Sequence, residues 1–330
     1  MGIKTSITVS APAKVHLLGE HAVVYGKPAL LAAIDLRVYV TVIPSGDSSL
    51  TRESTGLSPT QNDIKTSQHD IKKTIESIVK RTFKLKSIPS YNVSIETKAP
   101  IGSGLGSSAA ISAAYIAALL SYLQVKWDLN LINDLSYEAE KIFHGNPSGA
   151  DNSTVVFGGL VWFRKEIPEL KLIQQVPFSI PSKIAKNFTL INTGKPKQTT
   201  KDMVMMVKNL YDKKPSLVNK FLEDQERLVK ELLISLKDGQ EKEIIRIIKQ
   251  GEKNLEKIGV SSKFAQDIIR KIEQAGGAAK ICGGGSSTGP TGVLLCYHLT
   301  PSLIKNIAKS FNLDYFQAKL GAEGLRKENA

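Results

Sequence analysis

The chain has 330 residues, 42% hydrophobic and 23% charged, with a formal net charge of +13, and that length sets the expectation at two domains rather than one hydrophobic core. Two cysteines without a C-x-x-C pair, and no cluster with the five histidines, argue against a disulfide framework and against structural zinc. No apolar run approaches the ~18 residues of a membrane span, and the first six residues lack a secretory leader's apolar core, so the composition predicts a cytoplasmic protein.

In chain order, a strand-like segment over 3–10 comes first, and a second apolar run covers 29–43. Between them lies Ala11-Pro12-Ala13-Lys14-Val15-His16-Leu17-Leu18-Gly19-Glu20-His21-Ala22-Val23-Val24-Tyr25-Gly26-Lys27-Pro28. Lys14, Glu20 and His21 stand among Val15, Leu17, Leu18, Val23 and Val24, where an unpaired charge is costly. Taken singly, each also reads as a solvated lysine or acid or a satisfied histidine. The Ser/Thr-rich stretch 44–68 predicts an irregular loop or hairpin, and a helix follows from about 70 to 83.

Residues 91–97 alternate large and polar side chains as a half-buried strand does. They lead into Pro100-Ile101-Gly102-Ser103-Gly104-Leu105-Gly106-Ser107-Ser108-Ala109-Ala110, after which 109–123 has the composition of a helix. Gly102, Gly104 and Gly106 let the backbone bring its N–H groups close to an anion, and the helix start adds free N–H groups and a positive dipole end. Ser107 stands where a dinucleotide fingerprint needs glycine, and no lysine precedes the serines as in a Walker A loop. Alone, the stretch could equally be a turn that joins strand to helix.

A further helix over 129–143 ends at Gly145, because Asn146-Pro147-Ser148-Gly149 cannot continue it. Glu140 flanks its apolar stripe late in the helix, where the dipole disfavours a carboxylate, so a cation is a suitable partner. Asp151 follows on a loop ahead of a strand expected over 154–163. One acid on a helix and one on a loop suit the roles of metal ligand and proton acceptor; a solvated glutamate and a turn-forming aspartate are the plain alternative.

Pro168, Pro177 and Pro181 mark a domain boundary. Beyond it the pattern gives a strand over 188–192, helices over 200–211, 216–236, 242–258 and 263–274, and strands over 278–282 and 292–298. A helix over 302–311 and a strand over 313–318 complete an α+β second domain. Between 183 and 214 eight lysines face two aspartates, but without the interleaved aromatics of a single-strand binder, so they read as solvated surface rather than a nucleic-acid site.

Lys14 with Gly19-Glu20-His21-Ala22-Val23-Val24-Tyr25-Gly26-Lys27-Pro28, the loop at 104–110, and His144-Gly145-Asn146-Pro147-Ser148-Gly149-Ala150-Asp151 together resemble the signatures of the GHMP kinases, most closely the mevalonate kinase branch, in that family's order. The match is close over the N-terminal half and looser beyond. The resemblance implies an α+β, two-domain architecture: an S5 domain 2-like unit over 1–180 and a ferredoxin-like unit over 181–330, with the active site in the cleft between them. It implies that Gly102, Ser103, Gly104, Leu105, Gly106, Ser107 and Ser108 wrap the phosphates of ATP, and that Ser108 and Glu140 hold Mg2+. Asp151 matches the proposed base, Lys14 the lysine that stabilises developing charge, and Glu20, His21 and Thr199 residues near the mevalonate pocket. The implied reaction is phosphorylation of the primary hydroxyl of mevalonate, with no nucleic-acid or membrane partner and a homodimer left open. Another alcohol within the family and a nucleotide-sensing regulator remain as alternatives. The third family loop departs from the usual glycine run, reading Lys280-Ile281-Cys282-Gly283-Gly284-Gly285-Ser286-Ser287-Thr288-Gly289-Pro290-Thr291-Gly292, which suits a pocket wall and a long hairpin loop equally.

Overall fold

The computed structural model describes residues 6–45, 61–100, 102–145, 147–167, 170–317 and 319–329. The elements in order are β1 (Ile7–Leu18), a 3-10 turn (Ala22–Tyr25), β2 (Ala29–Pro44), α1 (Gln61–Phe83), β3 (Tyr91–Thr97), α2 (Ser107–Tyr122), α3 (Leu129–His144) and α4 (Ala150–Phe157). They continue with β4 (Leu160–Lys165), β5 (Lys171–Gln175), α5 (Ser182–Ala185), β6 (Phe188–Asn192), α6 (Thr200–Lys213), α7 (Pro215–Asp238), α8 (Glu241–Lys257) and α9 (Lys263–Gln274). The chain closes with β7 (Ala278–Ile281), β8 (Val293–Tyr297), α10 (Pro301–Ser310), β9 (Asp314–Phe316) and β10 (Arg326–Lys327).

Two antiparallel sheets organise the chain. The first runs β10-β1-β2-β4-β5, with β3 paired to the far half of the long β2; the second runs β7-β8-β6-β9. β10 pairs with β1 through Val9 and Ser10, so the end of the chain, expected with the second half, returns to the first sheet. Helix α2 is buried on nearly every face, as its Ala-, Ile- and Leu-rich sequence requires, between β1 and β2 on one side and α1, α3 and α4 on the others. A separate apolar cluster joins Ala13, Val15 and Leu17 of β1 to Leu228 and Leu232 of α7, Ile247 of α8 and Val293 of β8. The two halves therefore share a core, and β1 lies along their seam.

Three expectations need correcting. The first strand runs to Leu18 rather than ending near Ser10, because register shifts at Pro12/Ala13 and His16/Leu18 let a proline and a polar residue stay within it. Lys14 and His16 are thus strand residues. The strand expected over 154–163 is helix α4 followed by the shorter β4. Its Ser-Thr-Val-Val run has strand propensity, but Gly149 in the left-handed region starts a helix, and Ser153 and Thr154 donate their hydroxyls back to the carbonyls of Gly149 and Ala150. Asp151 consequently sits in a helix's first turn, not on a loop. Finally, helix α1 begins at Gln61, inside the stretch read as irregular; the rest of that stretch, 46–60, lies outside the described residues, as does Pro168 of the expected boundary.

Candidate active site

Lys14 connects the pieces. Its backbone N–H donates to Leu105 O at 2.9 Å, and its Nζ donates to Gly104 O at 3.2 Å and lies 3.0 Å from Asp151 Oδ1. The side chain is 2% exposed, so this ammonium is held by protein rather than by water. Gly106 makes the approach possible: a Cβ there would stand 2.8 Å from Lys14 Cγ, and its φ of 70° suits glycine. Burial pushes Asp151 upward, but the Lys14 ammonium and a hydrogen bond from His16 outweigh it and hold the carboxyl well below the usual carboxylate range. Asp151 is therefore ionised across the neutral range, and with 39% exposure it remains open to a substrate.

The glycine loop, bonded to Lys14 through Gly104 O and Leu105 O, leads into the start of α2. Gly102, Gly104 and Gly106 all take positive φ, and no side chain caps the helix, which leaves its first N–H groups available to an anion. The two serines diverge. Ser107 turns back to donate to Pro100 O at 3.2 Å, whereas Ser108 donates to Glu140 Oε1 at 2.6 Å. Ser103 lends its carbonyl to Val293 N at 3.0 Å, and the Leu105 side chain belongs to the shared core, so these two shape the loop mainly through backbone.

Glu140, 5% exposed just before the last turn of α3, has its carboxyl pushed up by burial, which the Ser108 hydroxyl and nearby His144 only partly oppose. A buried acid lacking a lysine or arginine contact among the described residues fits a divalent cation. No group of three or more His, Cys, Asp or Glu side chains is gathered among the described residues. That donor set suits Mg2+, which is commonly held by one or two carboxylates together with phosphate oxygens rather than by an all-protein cage.

Glu20 and His21 both bond to the second half of the chain. Glu20 is sealed in an ion pair with Lys280 of β7, both essentially unexposed, and His21 donates through Nε2 to Gly284 O at 3.0 Å. Burial pulls the Lys280 ammonium down, but the Glu20 carboxylate more than compensates and raises it. Removing one member leaves a bare buried charge, so Lys280→Met is expected to cost about 3–5 kcal/mol of stability, read by urea unfolding. The double variant with Glu20→Gln should recover part of that loss; no recovery would show that packing, not charge, is at issue.

The third loop is the long hairpin connection that its sequence allowed. It connects the antiparallel strands β7 and β8, and it also lines the seam, where Gly284 meets His21 and the start of α6. Its entry is fixed by a residue the sequence did not single out: buried Glu252 of α8 accepts from Ile281 N at 3.0 Å and Ser261 Oγ at 2.5 Å, and burial pushes its carboxyl up to about 8. Thr199 caps α6, accepting from Asp202 N at 3.2 Å in a reciprocal capping box, with its own hydroxyl turned to Asp202 Oδ2 at 2.7 Å. His16 also escaped notice, though it lies two residues from Lys14 and so on the same face of a strand.

A glycine turn that opens an uncapped helix, a buried acid bonded to that helix's first turn and a lysine-aspartate pair bonded to the same turn, on this fold, are the arrangement of a small-molecule kinase that uses ATP. Residues 70–159 match the GHMP kinases N terminal domain, and residues 1–44 match the galactokinase galactose-binding signature. The mevalonate kinase of Archaeoglobus fulgidus is 34% identical over 84% of this chain and 88% of its own, and that of Pyrococcus abyssi 29% over 98% of each. The crystal structure of L. major mevalonate kinase in complex with R-mevalonate superposes with a TM-score of 0.72 at 20% identity, over 92% of this chain and 90% of that one. The chain belongs to the mevalonate kinases of the GHMP family.

Proposed function

We propose that the protein transfers the γ-phosphoryl of ATP to the primary hydroxyl of mevalonate, giving 5-phosphomevalonate, with Mg2+ held by Ser108 and Glu140. The observation that carries this reading is Lys14 Nζ bridging Asp151 Oδ1 and the Gly104 carbonyl, which sets an ionised acid and an ammonium beside the phosphate loop. Phosphoryl transfer asks little covalent chemistry of a protein, mainly alignment and relief of charge. The loop from Gly102 to Ser107 and the N–H groups opening α2 bind and orient the phosphates. Asp151 orients the alcohol and accepts its proton at a carboxylate oxygen, while Lys14 stabilises the negative charge that develops there and keeps Asp151 ionised. When bound, Mg2+ neutralises phosphate charge. Glu20, His21 and the third loop shape the alcohol pocket, and Thr199 places the start of α6 at its rim.

The reading locates the protein in a reducing cytoplasm, supported by two buried free thiols, Cys282 and Cys296. Among the described residues no helix is long and apolar enough to cross a membrane. The deciding experiment supplies ATP and Mg2+ with mevalonate, phosphomevalonate, homoserine or galactose and follows ADP release. Galactose belongs in the panel because of the match at residues 1–44. Turnover confined to mevalonate is expected; preference for another alcohol overturns the substrate assignment. Glu140→Ala is expected to raise the Mg2+ concentration for half-maximal rate by about 10-fold or more. An unchanged Mg2+ titration would remove Glu140 from the metal site.

A further inference from the structure

Asp151 Oδ1 meets two nitrogens from β1, Lys14 Nζ at 3.0 Å and His16 Nε2 at 3.4 Å. Lysine offers a point charge that tolerates many carboxylate orientations, whereas an imidazole N–H is directional. His16 is itself fixed: it is buried, its carbonyl accepts from Lys280 Nζ at 3.4 Å and Cys282 Sγ at 3.8 Å, and it pairs with Leu31 of β2. We propose that His16 is a positioning residue for Asp151, donating Nε2–H to Oδ1 and so reserving the other carboxylate oxygen for the substrate alcohol. This rests on the proposed role of Asp151.

The tautomer follows from the partners. An ionised carboxylate only accepts, so the ring nitrogen that faces it carries the proton. His16 Nδ1 is buried without a partner, so a second proton there would have no acceptor. The charged and titratable groups around the ring are Lys14 on its own strand, Glu20 and His21 just beyond it, Asp151 on α4 and Lys280 on β7. Burial first, then Lys14, lower the basicity of the ring against the opposing pull of Asp151 and Glu20. A neutral donor orients Asp151 without adding a second positive charge, which would make the aspartate a still weaker base. The 3.4 Å separation is long for such a bond, and catalytic contacts of this kind often tighten once substrate binds.

The test has two arms on the full chain. In the first, 15N shifts of the histidine rings, assigned with His16→Gln, are expected to show the Nε2–H tautomer at neutral pH and to move in Asp151→Asn. An Nδ1–H tautomer, or signals blind to Asp151→Asn, overturns the proposal. In the second, His16→Leu is expected to lower kcat by roughly 10-fold with KM for ATP unchanged, and to shift the acid limb of kcat/KM to higher pH, since loss of a donor raises the pKa of Asp151. His16→Gln, which can present an amide N–H at the Nε2 position, is expected to stay within about threefold of the native kcat. Equal kinetics and pH profiles for leucine and native protein overturn the role, because a merely structural histidine would not move the acid limb. Normal turnover by Asp151→Asn overturns the role of Asp151 and that of His16 with it, whereas the wrong tautomer overturns His16 alone.

Discussion

Asp151→Asn is expected to lower kcat by about 10²- to 10⁴-fold while ATP affinity stays within a few-fold of native. The asparagine matches the aspartate in size, and the groups proposed to hold phosphate and metal, the Gly102 to Ser107 loop, Ser108 and Glu140, lie on other elements. What changes is the charge 3.0 Å from Lys14 and the nature of the atom facing it, since the amide adds a donor where two donors already converge. Lys14 then lacks its counter-charge, and the alcohol lacks both an acceptor for its proton and a fixed direction of approach. Rapid-quench measurement of a single turnover, alongside binding of a non-hydrolysable ATP analogue, separates the chemical step from nucleotide affinity. A single-turnover rate near native would mean that the loose transition state takes nothing from this carboxylate, and the assignment of Asp151 would be lost.

The site was legible where local chemistry announces itself. Three glycines ahead of an alanine-rich helix can do little but turn tightly and expose N–H groups, and the structure gives all three positive φ. Glu140 late in α3 was readable as an acid in need of a cation, and it is found buried against Ser108. The long helices of the second half match the expected segments, α9 over its full span, whereas the four-residue α5 carries no such pattern. The failures are cases where distant packing overrode local preference. Pro12 hid the continuation of β1, so His16 was not seen to share a face with Lys14. The β-branched run after Asp151 disguised α4, whose hydroxyls satisfy backbone carbonyls that a strand would have paired elsewhere. The Glu20 partner, Lys280, lies 260 residues away, and no spacing rule connects a turn after β1 with a strand of the other sheet. For the same reason Glu252 reads from sequence as one more acid on an amphipathic helix, although it is wholly buried and fixes the entry to the third loop.

Lys14→Met is expected to cost at least ~100-fold in kcat, the scale of losing one preorganised charge from a water-poor site. Methionine keeps the length and the packing against Gly106, so the backbone bond from residue 14 to Leu105 and the course of β1 should persist. The ammonium alone is removed, and with it the contact to Asp151 and the donor to Gly104 O. Two consequences follow in the same variant. Asp151 loses the cation that chiefly lowers its pKa, so the acid limb of the rate profile should move to higher pH, and the charge developing on the alcohol oxygen loses its stabilising partner. Arginine should not restore activity, because a planar guanidinium is bulkier than an ammonium, and the side chain at 14 packs so closely on Gly106 that a Cβ there would stand 2.9 Å from Lys14 Cε. Thermal unfolding of the methionine variant should show a loss of stability smaller than that of Lys280→Met, since Asp151 is stripped of its counter-charge but, at 39% exposure, can be solvated. If the loss appears only in KM, with kcat preserved, Lys14 is a binding residue that holds ground and transition states alike, and the charge-stabilising role assigned to it is wrong.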